Sequence, residues 1–494
     1  MTAGGPPGPV RAALSVCLDP ASPPRLADGL ELLGEFKDSG YAEPPSLVRR
    51  ADGQVIQLTR MLYLVACRID GHRGADAIAE LVSADLGRSL TGDQVGYLIS
   101  VKLAPLGIVT YPGAIYANDA GTADAAGTAD AAGTASATMA APAALPTATP
   151  LLALRARATL LPAELANAVA TSLRPLFHWP VIVAVIAGVV AVDYWLFAVH
   201  GLTAAFGQIL DDPTGLLLVV CLAIVSGAFH ECGHAAGCSY GGARPGRIGV
   251  GIYLVWPSFF TNVTDSYRLS RVGRLRTDLG GLYFNLIFML ALAGAYLATS
   301  APLLLLVIAL THMEMLEQLL PFVRFDGYFI LSDFVGVPDL FARIAPVVRS
   351  GLSRGNNDPR VSGLRRNSRI AITAWVLCVI PLLSITLGYL VLHLPEIDRA
   401  LWRSVSHAGQ LTTADFTAHR YAAATAGALG VALAALSIIG SLYVLAGLAR
   451  RVTIASMRWS ADRPARRLLT VIVAFACAAP LALYWITRGQ FGDW

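Results

Sequence analysis

The stretch AFHECGHAAG (residues 228–237) ends a run of thirteen residues, GLLLVVCLAIVSG (215–227), with hardly a polar side chain. An apolar run of that length suits hydrocarbon. Ionisable groups in such a segment are costly and point to function. On a helix, His230 and His234 lie on one face about a turn apart. Two imidazoles so spaced can bind one Zn²⁺, and Glu231 beside them can take a proton from water. The plainer alternative is a pair of interfacial histidines that anchor the helix end. Catalytic zinc also needs a third protein ligand. Cys238 is four residues from His234 but eight from His230, about 12 Å along a helix axis, so one ion cannot easily hold both. Cys232 points off the histidine face. Both are read as packed thiols.

Composition agrees with a membrane protein. The 494 residues are 55% hydrophobic and only 14% charged, against about a quarter charged in soluble proteins. Seven apolar runs are long enough to cross a bilayer: roughly 180–199, 214–238, 279–299, 302–321, 370–392, 421–449 and 468–487. The segment VGIYLVWPSFF (250–260) is too short to span and reads as a re-entrant hairpin or strand. Basic residues favour the cytoplasmic side. With the N-terminus inside, Arg155, Arg157 and Arg174 before the first run and the arginines of the loops 241–277, 324–369 and 450–467 number twenty-three. The loops 200–213, 300–301 and 393–420 and the tail carry four. This alternation supports the count of seven and a cytoplasmic N-terminus in the cell (plasma) membrane. The first residues hold no apolar core of signal-peptide length, and the seven cysteines form no paired framework.

Residues 1–15 are expected to be disordered. Residues 16–112 read as a small domain: VRRADGQVIQL as strand, Asp-Gly turn and strand, TRMLYLVACRI and ADAIAELVSADLG as amphipathic helices, and TGDQVGYLIS as a Thr-capped helix. Two strands and about three helices suggest an α+β, winged-helix-like unit. Residues 113–155 form an Ala/Thr/Gly-rich linker in which DAGTAD, AAGTAD and AAGTAS repeat; it cannot build a core. Residues 156–176 are expected to form a juxtamembrane helix on the bilayer surface. A membrane core built around the histidine pair is expected over 177–345, with additional transmembrane helices over 346–494.

The arginine-derived topology brings Asp326, just past the fourth run, to the depth of His230 and His234. It can be a zinc ligand, or Asp326-Gly327 can be simply a turn. His312, Glu314 and Glu317 in the fourth run either form a polar network near the metal or pair among themselves, and Asp193 in the first is unassigned.

Three elements resemble the site-2 protease family of intramembrane zinc metalloproteases, in its bacterial peptide zinc metalloprotease branch. They are His230-Glu231-Cys232-Gly233-His234; the G-x-x-x-N of Gly281 to Asn285; and Gln318 to Gly327, which keeps Pro321 and Asp326-Gly327 but has Gln318 for the family's Asn, Val323 for its second Pro and Phe325 for its Leu. The resemblance covers roughly 180–340. It implies His230, His234 and Asp326 as zinc ligands, Glu231 as general base and acid, and Asn285 as an aid to peptide positioning or oxyanion stabilisation. It leaves the role of Gln318 open. The alternative for Asn285 is an inter-helix hydrogen bond. The N-terminal domain is similar to PqqD-like peptide-recognition domains, which implies a leader peptide as partner; a regulatory or purely structural role is the alternative. Its mixed charge gives no sign of nucleic-acid binding.

The chain is therefore expected to be a multi-span α-helical membrane protein of about seven transmembrane helices that cleaves a peptide or membrane-associated precursor, in the maturation of a ribosomally made modified peptide. The alternatives are a membrane protease that releases a regulatory factor, and a non-catalytic scaffold or exporter component. The 250–260 segment could bind an extended substrate by strand pairing, an idea that Pro at Tyr253 or Val255 would probe.

Overall fold

The computed structural model describes residues 23–51, 54–110, 155–201, 213–253, 256–352, 358–461 and 464–490. The expected disordered N-terminus (1–15) and almost all of the expected linker (113–155) lie outside them. The chain is mostly helical and divides into two compact units. One comprises Met1–Phe36 and Pro44–Ala148, the other Lys37–Glu43 and Thr149–Trp494.

In the first unit, strands β1 (Arg25–Leu26), β2 (Glu31–Glu35), β3 (Ser46–Arg49) and β4 (Val55–Leu58) precede helices α1 (Arg60–Arg68), α2 (Ala75–Leu86) and α3 (Gly92–Tyr97), and β5 (Val109–Thr110) closes it. The expected strand pair is β3–β4, although Asp52 and Gly53 of its turn lie outside the described residues. Strand β2 adds an antiparallel third member, and β1 pairs with β5. The three helices fall where their periodicity put them. Thr91 caps α3 through a reciprocal pair: its Oγ accepts from the Gln94 amide at 3.3 Å and its own amide donates to Gln94 Oε1 at 3.1 Å. Val48, Leu58, Val65, Ile78, Val82, Ile99 and Leu103 form the buried core.

The second unit begins, in chain order, with β6 (Arg155–Leu161), α4 (Ala163–Leu173), α5 (Trp179–Asp193), α6 (Pro213–Tyr240), β7 (Ile248–Tyr253) and β8 (Trp256–Thr261). Helices α7 (Arg271–Asp278), α8 (Gly280–Thr299), α9 (Pro302–Gln318), α10 (Asp326–Val335), α11 (Arg366–Thr417), α12 (Tyr421–Ser460) and α13 (Pro464–Gln490) follow. Among the described residues six helical segments are long and apolar enough to cross a membrane: Trp179–His200, Gly215–Tyr240, Gly280–Thr299, Arg366–Thr417, Tyr421–Ser460 and Pro464–Thr487. The seventh expected run, 302–321, is represented by α9, a helix of 17 residues. Large apolar side chains such as Val190, Ile224, Leu297 and Leu377 face outward from these helices. A protein in lipid can leave such side chains uncovered; one in water would have to bury or pair them.

Two expectations need correction. Residues 155–161, assigned to the juxtamembrane helix and the end of the linker, form strand β6, and only Ala163–Leu173 is α-helix, followed by a 3₁₀ turn, Arg174–Phe177. The alternation Arg-Ala-Arg-Ala at 155–158 has the period of a strand, and β6 gains a partner in β7. The loop expected at 393–420 is helix as far as Thr417, because α11 runs for 52 residues. At 1.5 Å per residue that is about 78 Å, more than twice a hydrocarbon core. Good helix formers such as Leu, Arg, Gln and Ala over 396–411 carry it onward despite Pro395.

In the segment read as a re-entrant hairpin or strand (250–260), the described residues lie in two antiparallel strands, β7 and β8; residues 254 and 255 lie outside the described residues. Strand β7 pairs with β8 on one side and with β6 on the other. Elsewhere in this unit Lys37–Glu43 is stitched in by backbone bonds. The Gly40 amide donates to Gly336 O at 2.8 Å, the Arg365 amide to Gly40 O at 2.8 Å, and the Ala42 amide to Gly363 O at 2.9 Å. A Cβ on Gly40 would sit 2.3 Å from Val335 O and 2.5 Å from Ser368 Oγ. Gly40→Ala should therefore cost about 1–3 kcal/mol by overpacking, read as a lower apparent melting midpoint of the solubilised protein. Gly96→Ala, where the added Cβ meets nothing within 4 Å, should leave it unchanged or higher.

Candidate metal centre

Glycine brings α6 and α8 into backbone contact. A Cβ on Gly233 would lie 2.2 Å from Gly280 O, and one on Gly280 would lie 2.4 Å from Gly233 O. One turn along α6, a Cβ on Gly237 would lie 2.8 Å from the carbonyl oxygen of Arg276 in α7. Only residues without a side chain permit this approach. It gives the Gly281 of the G-x-x-x-N element a specific job. A Cβ there would fall 2.3 Å from His230 Nε2 and 2.6 Å from His234 Nε2. Gly281 is the floor on which the two imidazoles rest.

The sequence placed both histidines on one helical face, and the structure has them there, buried at 5% and 9% exposure. Their Nε2 atoms are 3.0 Å apart. His234 Nδ1 donates to the Thr277 carbonyl at 2.8 Å. A carbonyl only accepts, so Nδ1 carries the hydrogen and Nε2 presents its lone pair. An Asp326 carboxylate oxygen lies 3.0 Å from His230 Nε2 and 3.5 Å from His234 Nε2. The cluster thus gathers acceptor atoms that need a positive charge among them. Ligands at about 2.0–2.1 Å around one tetrahedral zinc are themselves roughly 3.3 Å apart. The observed spacings match, so these three residues could hold a metal ion. The sulfurs of Cys232 and Cys238 take no part in the cluster; the first packs among apolar side chains and the second is buried.

Asp326 opens helix α10 and does not form a tight Asp-Gly turn. A carboxylate in the first turn suits the positive end of the helix dipole. Gly327 is needed because a Cβ would sit 2.1 Å from Leu319 O. The loop before Asp326 is fastened by three bonds. Trp375 Nε1 donates to Pro321 O at 2.8 Å, the Arg324 guanidinium to Asp339 at 2.9 Å, and the Arg324 amide to the Tyr253 hydroxyl at 2.9 Å.

Asn285 is one turn beyond Gly281, so it shares that face, and it is 1% exposed. Neither of its side-chain polar atoms has a hydrogen-bond partner, so the inter-helix bond considered for it is absent. Glu231 is half-buried beside the pair, and its main-chain carbonyl accepts from Thr261 Oγ1 of β8 at 3.0 Å. Gln318 Nε2 donates to Glu314 at 3.2 Å, and His312 Nε2 lies 3.1 Å from Asp193. These polar groups pair with each other or with Asp193, and none joins the cluster.

Behind His234 lies a network with no signal in the sequence. Arg274, completely buried, donates from Nε to Asp333 at 2.9 Å and from Nη1 to the carbonyls of Leu269 and Lys37. Burial, reinforced by the neighbouring Asp333 carboxylate, pushes the Asp278 carboxyl well up. The network fixes α7, whose Thr277 carbonyl orients His234. Nothing in the spacing announces Thr277, 43 residues from its partner.

The chain matches no family profile and no solved structure. It is 28% identical over 126 residues to a protein named "Putative peptide zinc metalloprotease protein YydH" from Bacillus subtilis (strain 168). The match covers 25% of this chain and 50% of that protein, so the chain spans about half the length of the curated relative it matches. This likeness supports a zinc metalloprotease, and with it zinc as the metal suited to the three residues.

The close approach at Gly281 yields a prediction. Gly281→Ala should empty the centre, read as loss of zinc from purified protein with helix content kept. Gly294→Ala, on the same helix with open space around the added Cβ, should keep its zinc.

Proposed function

We propose that the protein is an intramembrane zinc endopeptidase of the site-2 protease kind. Its substrate would be a peptide or membrane-associated precursor, cleaved during maturation of a ribosomally made modified peptide in the cell membrane. The observation that carries this reading is the convergence of His230, His234 and Asp326 at the end of an apolar helix, with Glu231 in the same turn.

His230, His234 and Asp326 would hold the metal. Bound there, zinc supplies Lewis acidity, which makes water more acidic and a carbonyl more electrophilic. Glu231 takes a proton from the attacking water and delivers it to the leaving amine. Asn285, with both polar atoms unclaimed, donates its amide to the carbonyl oxygen as charge develops or holds the peptide in place. Thr277 keeps His234 in the tautomer that leaves Nε2 free. The apolar helices exclude bulk water around the reacting groups.

An extended peptide could add to the sheet as a further strand. Strand β7 is already paired on both sides, so the acceptor is a free edge, and β8 is the one tied to the motif helix through Thr261. Proline at Tyr253 does not isolate this role, because Tyr253 also holds the Arg324 amide; Val255 lies outside the described residues. Residues 16–112 would present the leader peptide of the precursor. Their compact helix–strand core supports a recognition module, as does their similarity in pattern to PqqD-like domains.

The test is cleavage of co-expressed candidate precursor peptides in membranes, with zinc counted in the purified proteins. Glu231→Gln should lower cleavage by at least about a hundredfold while zinc stays stoichiometric. His230→Ala and Asp326→Ala should lose the zinc itself. Asn285→Ala should keep zinc and lose about 10²–10³ in kcat, as for an oxyanion donor. Wild-type protein without zinc would sink the metallopeptidase reading and favour a non-catalytic scaffold.

A further inference from the structure

The third ligand is the least secure member of the cluster by position. His230 and His234 ride on a helix of 28 residues. Asp326 follows a segment that is neither helix nor strand, 319–325, and so depends on whatever fastens that segment. Of the three fastenings, two act at a distance from the carboxylate. Trp375 holds Pro321, five residues before Asp326, and Asp339 holds the end of the Arg324 side chain. The third acts on the main chain beside the ligand. The Tyr253 hydroxyl accepts from the Arg324 amide at 2.9 Å, and the Tyr253 ring packs on Phe325 with centroids 5.5 Å apart. One side chain thus grips both residues that lead into Asp326. Tyr253 is the last residue of β7, paired with Trp256 at the head of β8. The other end of β8 is bonded to the Glu231 carbonyl through Thr261. The hairpin therefore touches both halves of the centre: the helix that carries the histidines and the loop that carries the carboxylate.

We infer that Tyr253 is a positioning residue for the metal centre: its hydroxyl fixes the Arg324 amide and so presents the Asp326 carboxylate to His230 and His234. The inference rests on the zinc-centre reading above. It assigns the hairpin a part in building the site that is separate from any pairing with a peptide. A ring that only fills space would need no hydroxyl, and this distinction makes the inference testable.

The experiment uses the full-length protein in detergent, with zinc affinity measured by competition against a chromophoric chelator. The absorption spectrum of the cobalt-substituted protein reports ligand geometry. Tyr253→Phe keeps the ring and removes the acceptor. It should weaken zinc roughly tenfold, the usual scale for a lost partner behind a ligand, and should shift the cobalt bands. Tyr253→Ala should weaken zinc further. Trp256→Ala, which truncates a half-exposed side chain of the same hairpin and keeps its backbone pairing with Tyr253, should match wild type in both readings. Wild-type affinity and spectrum in Tyr253→Phe would overturn the inference, even with a loss in Tyr253→Ala, because ring packing alone would then account for it. Slower cleavage by Tyr253→Phe with zinc affinity and spectrum unchanged would also overturn it, by moving Tyr253 to the substrate. Wild-type protein that takes up neither zinc nor cobalt would sink the metal-centre reading itself, and this inference with it.

Discussion

The site exists because two helices touch without side chains between them. Gly233 against Gly280 brings α6 and α8 to a separation at which backbone meets backbone, and Gly237 against Arg276 does the same for α6 and α7. Helices in lipid gain little from burying apolar surface against each other and rely on close packing instead. Here the packing also sets the chemistry. The same contact lays Gly281 under both imidazoles and brings the carbonyl of Thr277 to His234. Moving α8 away by one methyl group would disturb the positions of both histidines together.

The remaining parts are arranged around that contact at increasing distance. Asp326 arrives from a loop and is steadied at the first turn of α10, where Gly327 allows the turn to press on Leu319. Arg274, bonded to Asp333 and to the carbonyls of Lys37 and Leu269, holds α7, and α7 holds His234. Lys37 adds its carbonyl to Arg274, so a segment from early in the chain shares the network that orients a histidine late in α6. The hairpin supplies Tyr253 to one side of the cluster and Thr261 to the other. Few of these supports are charged pairs open to water, and a buried, hydrogen-bonded framework of this kind holds geometry well.

How much of this the sequence disclosed depended on the range of the interaction. The two histidines were legible because residues four apart on a helix share a face, a rule that needs no tertiary knowledge. Asp326 was legible as a candidate through the arginine bias, which set depth and left the choice between ligand and turn to the resemblance. The strand at 155–161 was misassigned because its arginines suggested a membrane surface and drew attention from their alternation. The helix that replaced the 393–420 loop was missed because loss of hydropathy was read as loss of helix. Thr277, Arg274 and Tyr253 left no local trace, since their roles arise from contacts 43, 59 and 71 residues away in the chain.

The contact between α6 and α8 also ties occupancy to folding. The atoms that would face an ion come close together only while the glycine contact is intact, so an ion taken up there binds the packed arrangement and not the separated helices. By linkage, each tenfold excess of free ion over its dissociation constant adds about 1.4 kcal/mol to the packed state. Scarcity of that ion would then act on the protein twice, by emptying the centre and by loosening the pair of helices that forms it. Its abundance in the cell would be governed in part by metal supply.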